Sequence, residues 1–545
     1  MASLVKKHWP LIIGLAVFWG TIAILLTLSV KQNQGHLVYG LDDPYIHMAI
    51  AKNFAQHGVW GINKEGFTSS SSSPLWTLVI SLIYFLLGRS EVSPFVLNCI
   101  FGTLLILSAY FLFRKYGIGL LFVCLGLLAI TFLTPLPALI FFGQEHIMHA
   151  LITILFVYFS AKILSDEKSS KKRYILWSIL AALVTMARYE GLFLILVVSV
   201  LLLLRRKPIL SLGLGGAGLL PIIIYGVISI SNGWYFLPNP ILLKGQVPRF
   251  SSLSGIINFF SHSVDNLYNQ MKSAPDMQIL ILGALIIFLF QYSKQKGIWR
   301  DTRIMMVIFI TGALLHMQFA KTGWYNRYEA YLVALGLFVM VIGMGDLLSR
   351  KLSFAVRRSL MLKYIAEALI ILIILVSFDS RAIKSLKSTP QATTNIYEQQ
   401  YQMGLFLKEF YQGKSVAAND IGAINYLADF ECLDLWGLGN YEITELLRKG
   451  RYDRLQISNL ARQKNVRIAI IYESWFKGCG GIPSQWNKVG AWKIYNNLVC
   501  GDNTVSFYAV DPSEEYSLNK NLRAFSSRLP KNVEQVVKKL SYDTQ

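Results

Sequence analysis

The chain of 545 residues is 54% hydrophobic and only 15% charged, with a net charge of +21. Soluble domains carry about a quarter charged residues, so this balance excludes a wholly soluble protein and indicates a multi-pass membrane protein with a soluble part. Nor is the positive charge that of a nucleic-acid binder, because Lys and Arg sit in short loops between apolar runs instead of on one soluble face.

Crossing a bilayer takes roughly 20 apolar residues, and Lys and Arg favour the cytoplasmic side. The apolar runs in chain order are 9–30, 93–113, 117–141, 146–163, 174–187, 190–204, 209–230, 277–293, 304–320, 327–346 and 361–378. The first is too long for a signal-peptide core and has no small-residue cleavage site after it, so it reads as a retained helix. Alternate gaps are basic, among them "FRKYG", "DEKSSKKR", "LRRKP" and "SKQKGIWRDTR". They fall on one face if the chain starts inside, which gives eleven spans (twelve at most), an inner amino terminus and an outer carboxyl terminus. The segment 74–88, "PLWTLVISLIYFLLG", is short and breaks the alternation, so it is expected as a re-entrant or interfacial helix on the outer side.

After about residue 385 the pattern changes. "KSVAAND", "RIAIIYE", "AWKIYNN" and "TVSFYAVD" read as strands, with helical periodicity in "QMGLFLKEFYQG", "NYEITELLRKG" and "DRLQISNLARQKN". The expected organisation is a transmembrane domain over 1–380 with a large first outer loop (31–92), an α/β domain over 385–515, and a polar tail over 516–545. Of the five cysteines, Cys479 and Cys500 lie in the outer soluble part and are expected to pair as a disulfide. No Walker-type or GxGxxG phosphate loop is present, and no CxxC metal spacing.

Threaded this way, the outer face gathers Asp42, Asp43, His47, Glu145, His146, Arg188, Glu190, Asn239, Lys244, Lys321, Arg327 and Glu329. Charges at helix ends near a bilayer are costly unless paired or wetted. Carboxylates that can take a proton, beside cations that can hold a phosphate, suit an anionic amphiphile as substrate. Each group also has a purely structural reading. Asp43 before Pro44 looks like a helix N-cap; Glu145 and His146 could form an exposed loop; Arg188 and Glu190 could pair locally; Lys244 and Arg327 could snorkel to the interface. "TSSSSSP" reads as a flexible loop. With Asp43 occupied as a cap, Asp42 is the freer carboxylate; a divalent ion bridging the two is another use of the pair.

The stretch "DDPYIHMAIAKNFAQHGVWGINKEGFTSSSSSPLW" resembles the first outer loop of class C glycosyltransferases, and most of all that of the terminal arabinofuranosyltransferase-like family. "FFGQEHIMHALITIL", "MARYEGLFLIL", "WYFLPNPILLKG", "NRYEAYLV", "AANDIGAINYL" and "LDLWGLGN" follow in the family's order. The resemblance implies the GT-C fold in the inner membrane of a prokaryote. The implied activity is inverting transfer of a sugar from a polyprenyl-phosphate donor to an extracytoplasmic glycan, lipid or protein, without an obligatory cofactor. It further implies an outer-loop Asp as general base (Asp42 or Asp43, with Asp42 favoured as the freer carboxylate), and of the polar groups gathered on the outer face His47, Glu145, His146, Arg188, Glu190, Asn239, Lys244, Lys321 and Arg327 are the expected substrate-binding residues. Pro44 departs from the small residue usual in that family and resembles the Asp-Pro of oligosaccharyltransferase catalytic subunits. "GQEH" and "RYEG" depart from the family's Gly-Leu-Glu-Thr and Arg-Pro-Glu-Gly. A lipid-linked glycan flippase is the alternative function, favoured by mid-span charges or repeated halves, and the sequence has little of either.

Overall fold

The computed structural model of the chain describes residues 2–166, 169–244, 267–272, 274–294, 297–349 and 378–539. The membrane-type part is built from α1 (Ala2–Gln32), α2 (Asp43–His57), α3 (Pro74–Leu87), α4 (Ser93–Lys115), α5 (Leu120–Leu133), α6 (Leu136–Phe141), α7 (His146–Ser165), α8 (Lys171–Ala187), α9 (Gly191–Leu204), α10 (Pro208–Ser231), α11 (Asn239–Lys244), α12 (Pro275–Lys294), α13 (Asp301–Phe319) and α14 (Ala330–Ser349). Among the described residues seven helices are long and apolar enough to cross a membrane: α1, α4, α5 with α6, α7, α10, α12 and α13. Their outward faces leave Leu104, Phe111, Leu212 and Ile223 exposed, a pattern suited to lipid instead of water. The protein is a multi-pass membrane protein. The expected span 361–378 lies almost wholly outside the described residues.

Local sequence explains the breaks. Pro135 separates α5 from α6, where its missing N–H would interrupt a continuous helix. Between α8 and α9 the chain turns through Arg188-Tyr189-Glu190. Gly191 is required after it, since a Cβ there would lie 2.6 Å from the carbonyl of Val184. The α3 helix has 14 residues, about 21 Å at 1.5 Å per residue, too short for a hydrocarbon core of about 30 Å. Its first turns are buried through Trp76 and Ile80, while Phe85 and Leu87 at its end are exposed.

The two ends of the bundle differ in chemistry. At one end the loops read as basic come together: Lys162 bonds Asp301 at 2.5 Å, Tyr116 donates to the same carboxylate at 2.8 Å, and the Arg205 guanidinium lies over Trp299. Asp43, Gln144, Arg188 and Arg327 gather elsewhere, around a cavity.

A helical segment leads into the soluble domain through α15 (Lys384–Ile396), a wider turn at Tyr397–Tyr401, and α16 (Gln402–Phe410). The domain holds β1 (Ser415–Ala418), α17 (Gly422–Leu427), β2 (Glu431–Asp434), α18 (Tyr441–Arg448), α19 (Arg454–Gln463), β3 (Ile468–Ile471), β4 (Asn487–Lys493), β5 (Thr504–Ala509), α20 (Glu514–Phe525) and β6 (Glu534–Val537). The sheet order is β2-β1-β3-β5-β4-β6. Its β2-β1-β3 half is parallel and its β3-β5-β4-β6 half antiparallel. One face packs Phe406, Trp492, Phe507 and Phe525, the other Ile443, Ile457, Ala461 and Phe476.

Two expectations are corrected here. The polar tail expected over 516–545 is part of the α/β domain as far as residue 539: α20 buries Leu518, Leu522 and Phe525, spaced at helical intervals, and β6 pairs with β4 at the sheet edge. The Cys479–Cys500 pairing does not form, and both thiols are free. Cys479 sits 3.2 Å from the carbonyl of Phe476, while Cys500 is buried 3.2 Å from the side-chain oxygen of Gln400.

Candidate active site

The cavity has a volume of about 460 Å³ and is walled by α2, the serine stretch before α3, the α8–α9 turn, and the loop between α13 and α14. Its apolar lining comes from Ile46, Leu192, Phe193, Leu237, Pro240 and Leu438, the last contributed by the soluble domain. Its polar lining includes Asp43, His47, Gln144, His146, Arg188, Glu190, Lys321, Arg327 and Tyr328.

Arg327 holds the centre of this wall. It is 2% exposed; Nη2 donates to Asp43 Oδ2 at 2.6 Å and to the Tyr328 hydroxyl at 3.1 Å, and Nη1 donates to Gln144. Burial opposes its charge, but Tyr328 and Asp43 hold its pKa above the ordinary arginine value. Its Nε is buried without a hydrogen-bond partner among the described residues, as is Nε2 of His146. Unsatisfied polar atoms in a buried wall are costly and mark places where a ligand gains most.

Arg188 forms the second cationic centre. Its Nη1 meets Glu145 Oε1 at 2.6 Å, and its Nε and Nη2 grip Glu190 at 3.2 and 2.7 Å. The local Arg188–Glu190 pair read from "RYEG" is thus present, with Glu145 as a third member. Glu145 is fully buried, so the exposed-loop reading of "GQEH" is corrected. It stands behind the cavity wall and orients Arg188. Its other oxygen lies 3.8 Å from His47 Nε2. Burial pushes His47 below the ordinary histidine range, so a neutral imidazole faces Glu145, with Nδ1 2.8 Å from Thr77 Oγ1.

The serine stretch is a built wall. Ser69, Ser70, Ser71 and Ser73 are buried, Ser73 caps α3 by accepting from Trp76 N–H, and Ser70 and Ser72 line the cavity. The flexible-loop expectation for "TSSSSSP" is therefore corrected.

The two adjacent carboxylates part company. Asp43 faces the cavity and Arg327. Asp42 is absent from the cavity wall and accepts from the backbone N–H groups of Gly422 (2.6 Å) and Ala423 (2.8 Å) in the soluble domain. The helix begins at Asp43, and Asp42 at the cap position makes no side-chain cap bond to it. Asp42, expected as the freer carboxylate, is therefore the one engaged by the soluble domain, while Asp43 meets Arg327. Turned to different partners, the pair does not form a common bridging site for a divalent ion. Among the described residues no group of three or more His, Cys, Asp or Glu side chains is arranged to hold a metal.

Asn239 is also corrected. It is buried but anchors the soluble domain, donating to the carbonyls of Gly437 and Leu438 and to Thr444 Oγ1. Its neighbours Leu237, Pro240 and Ile241 do line the cavity. Glu329 pairs with Arg381 at 2.9 Å, away from the cavity wall. The Lys244 side chain lies outside the described residues. Gln144, Tyr189 and Tyr328 complete the polar wall unanticipated, although each stands beside a charge already singled out, in "GQEH", "RYEG" and "YNRYEAY".

A family model described as "Domain of unknown function (DUF8728)" matches residues 394–508. No curated protein matches the chain. Among solved structures, ArnT from Cupriavidus metallidurans in the apo state is similar, with 13% identity, a TM-score of 0.52, and coverage of 93% of this chain and 99% of that one. The same protein bound to undecaprenyl phosphate is similar with 12% identity, a TM-score of 0.52 and the same coverage. The likeness spans the bundle and the soluble domain together, and at this identity it speaks for architecture. The chain has the fold of ArnT, the GT-C fold.

Proposed function

We propose that the protein is an inverting glycosyltransferase that moves a hexosyl or pentosyl unit from a polyprenyl-phosphate donor to an acceptor hydroxyl, with Asp43 as general base. The observation that carries the reading is one mostly apolar cavity whose polar wall sets a carboxylate 2.6 Å from a buried guanidinium. An apolar chamber suits the lipid, and a cationic wall suits the phosphate.

In this reading the acceptor O–H gives its proton to the Asp43 carboxylate. The acceptor oxygen forms a bond to the anomeric carbon from the face opposite the phosphate. The bond from that carbon to the phosphate oxygen breaks, and its electron pair leaves with the polyprenyl phosphate. Arg327, Arg188 and Lys321 offset the charge that grows on the departing oxygens. Arg327 also holds Asp43 in place. The bound undecaprenyl phosphate of the ArnT structure and the motif order shared with arabinofuranosyltransferase-like proteins support a lipid-phosphate donor. The charge asymmetry of the loops supports an extracytoplasmic soluble domain, and the resemblance to arabinofuranosyltransferase-like proteins supports a prokaryotic inner membrane as the setting.

Purified protein in lipid nanodiscs, supplied with labelled polyprenyl-phosphate sugars and a panel of extracytoplasmic acceptors, tests the proposal. Sugar transfer with release of polyprenyl phosphate is expected, and Asp43→Asn should lose turnover by roughly 100-fold or more while staying folded. Full turnover in Asp43→Asn would reject Asp43 as the base.

A further inference from the structure

The soluble domain does not merely hang from the bundle. Its helix α17 is held at both ends by α2, the helix that carries Asp43 and His47. At the N-terminal end of α17, Asp42 accepts from Gly422 and Ala423 N–H. At the C-terminal end, Lys52 Nζ donates to the carbonyls of Asn425 (2.9 Å) and Tyr426 (3.4 Å) and to Asp429 (2.8 Å). Asp42 is 8% and Lys52 3% exposed. A carboxylate at the helix start and an ammonium at its end complement the peptide dipoles, and both use groups that a short helix leaves unsatisfied.

The fit leaves no slack. A Cβ on Gly422 would lie 2.1 Å from the Asp42 carbonyl oxygen, and one on Gly439 would lie 2.4 Å from Ile62. Arg89 adds a third tie, donating to Tyr426 O at 2.7 Å with its guanidinium over the Tyr426 ring.

We infer that the soluble domain is a positioning part of the catalytic site: α17, gripped by Asp42 and Lys52, sets where Asp43 stands against Arg327. The inference rests on the glycosyltransferase reading with Asp43 as base, and it gives a role to the region matched by a domain of unknown function. Asp42 and Lys52 bracket the first ten residues of α2, so the docked domain fixes both the pitch and the rotation of the segment bearing the base. A separate acceptor-binding module would need neither a buried carboxylate nor a buried lysine in the catalytic loop. The same docking brings Leu438 into the cavity wall.

The test uses the full-length protein in nanodiscs with two readouts: steady-state transfer from a polyprenyl-phosphate sugar, and amide hydrogen exchange over residues 43–57. Asp42→Ala and Gly422→Ala should each speed that exchange. Each should lower kcat by roughly 10- to 100-fold, the scale of a misplacement of about 1 Å, with donor KM within about twofold of wild type. Asp42→Asn keeps an amide oxygen for the helix N–H groups and should recover most of the rate. Wild-type exchange and kcat in both Asp42→Ala and Gly422→Ala would overturn the inference. So would an Asp42→Asn as dead as Asp43→Asn, since Asp42 would then be the proton acceptor. If the wild-type protein transfers no sugar, the glycosyltransferase reading fails by itself, and hydrogen exchange alone decides whether α17 orders α2.

Discussion

Replacing Arg327 with Lys probes the donor site with the least disturbance of charge. Removing the charge altogether would strand the Asp43 carboxylate and confuse binding with stability. The native guanidinium serves Asp43, Tyr328 and Gln144 from its two Nη atoms, with Nε left over in the cavity wall. Lysine offers one ammonium at the end of a flexible stem and cannot present a fork. If it stays with Asp43 at the observed 2.6 Å, the contact available to a phosphate oxygen is lost. A hydrogen bond to a charged group contributes about 1.5–3 kcal/mol, which corresponds to about 10- to 100-fold in donor affinity. Equilibrium binding of a polyprenyl phosphate, together with KM measured separately for donor and acceptor, reads this out. Donor KM should rise by that factor and acceptor KM stay close to wild type. An unchanged donor KM and kcat in a folded Arg327→Lys protein would refute the assignment of Arg327 to the phosphate.

Other outcomes follow from the same geometry. Burial and the neighbouring Asp420 push the Asp42 carboxyl well above the ordinary carboxylate value, against the two backbone N–H groups that favour its charged form. Gln400 donates to Asp420 at 2.8 Å and to the Tyr472 hydroxyl at 2.9 Å beside this pair. A raised folded-state pKa means that this contribution to stability is complete below the unfolded value of about 3.9 and is lost as pH climbs through the raised one. Melting of the wild-type protein should thus fall as pH rises through the raised value, and Asp42→Asn should flatten the slope; an identical slope in both would count against the upward shift of Asp42. Cys479 and Cys500 should both alkylate in unfolded, unreduced protein, and a mass lower by two hydrogens with both sites blocked would restore the disulfide. Asp43→Asn, measured beside Asp42→Asn at equal protein folding, should be the more damaging of the two by roughly 100-fold.

What the sequence determined by itself is what depends on local pattern. Apolar runs, the basic loops between them, and alternation of strand and helix in the tail need only neighbours along the chain to be read. Those features led to a membrane bundle with an α/β domain, and motif order led to the GT-C fold. Arg327 and Arg188 were legible because a cation beside an apolar helix needs a partner, wherever that partner lies. β6 and α20 were not legible as ordered structure, because their polar surface hides the few apolar positions, Leu518, Leu522 and Phe525, that the sheet buries.

The tertiary structure alone decided the partners of Asp42 and Asp43. Side chains one residue apart at a helix start diverge by about 100° around its axis. One carboxylate therefore turns to Arg327 in the cavity and the other to Gly422 in a domain 380 residues further along. No local rule could choose between them, since both partners arrive from distant parts of the chain. The same holds for Lys52, an ordinary helix lysine until Asn425, Tyr426 and Asp429 close around it. Asn239 likewise sits in a loop that reads as substrate-binding, and the soluble domain, folded against it, takes up its side-chain amide instead.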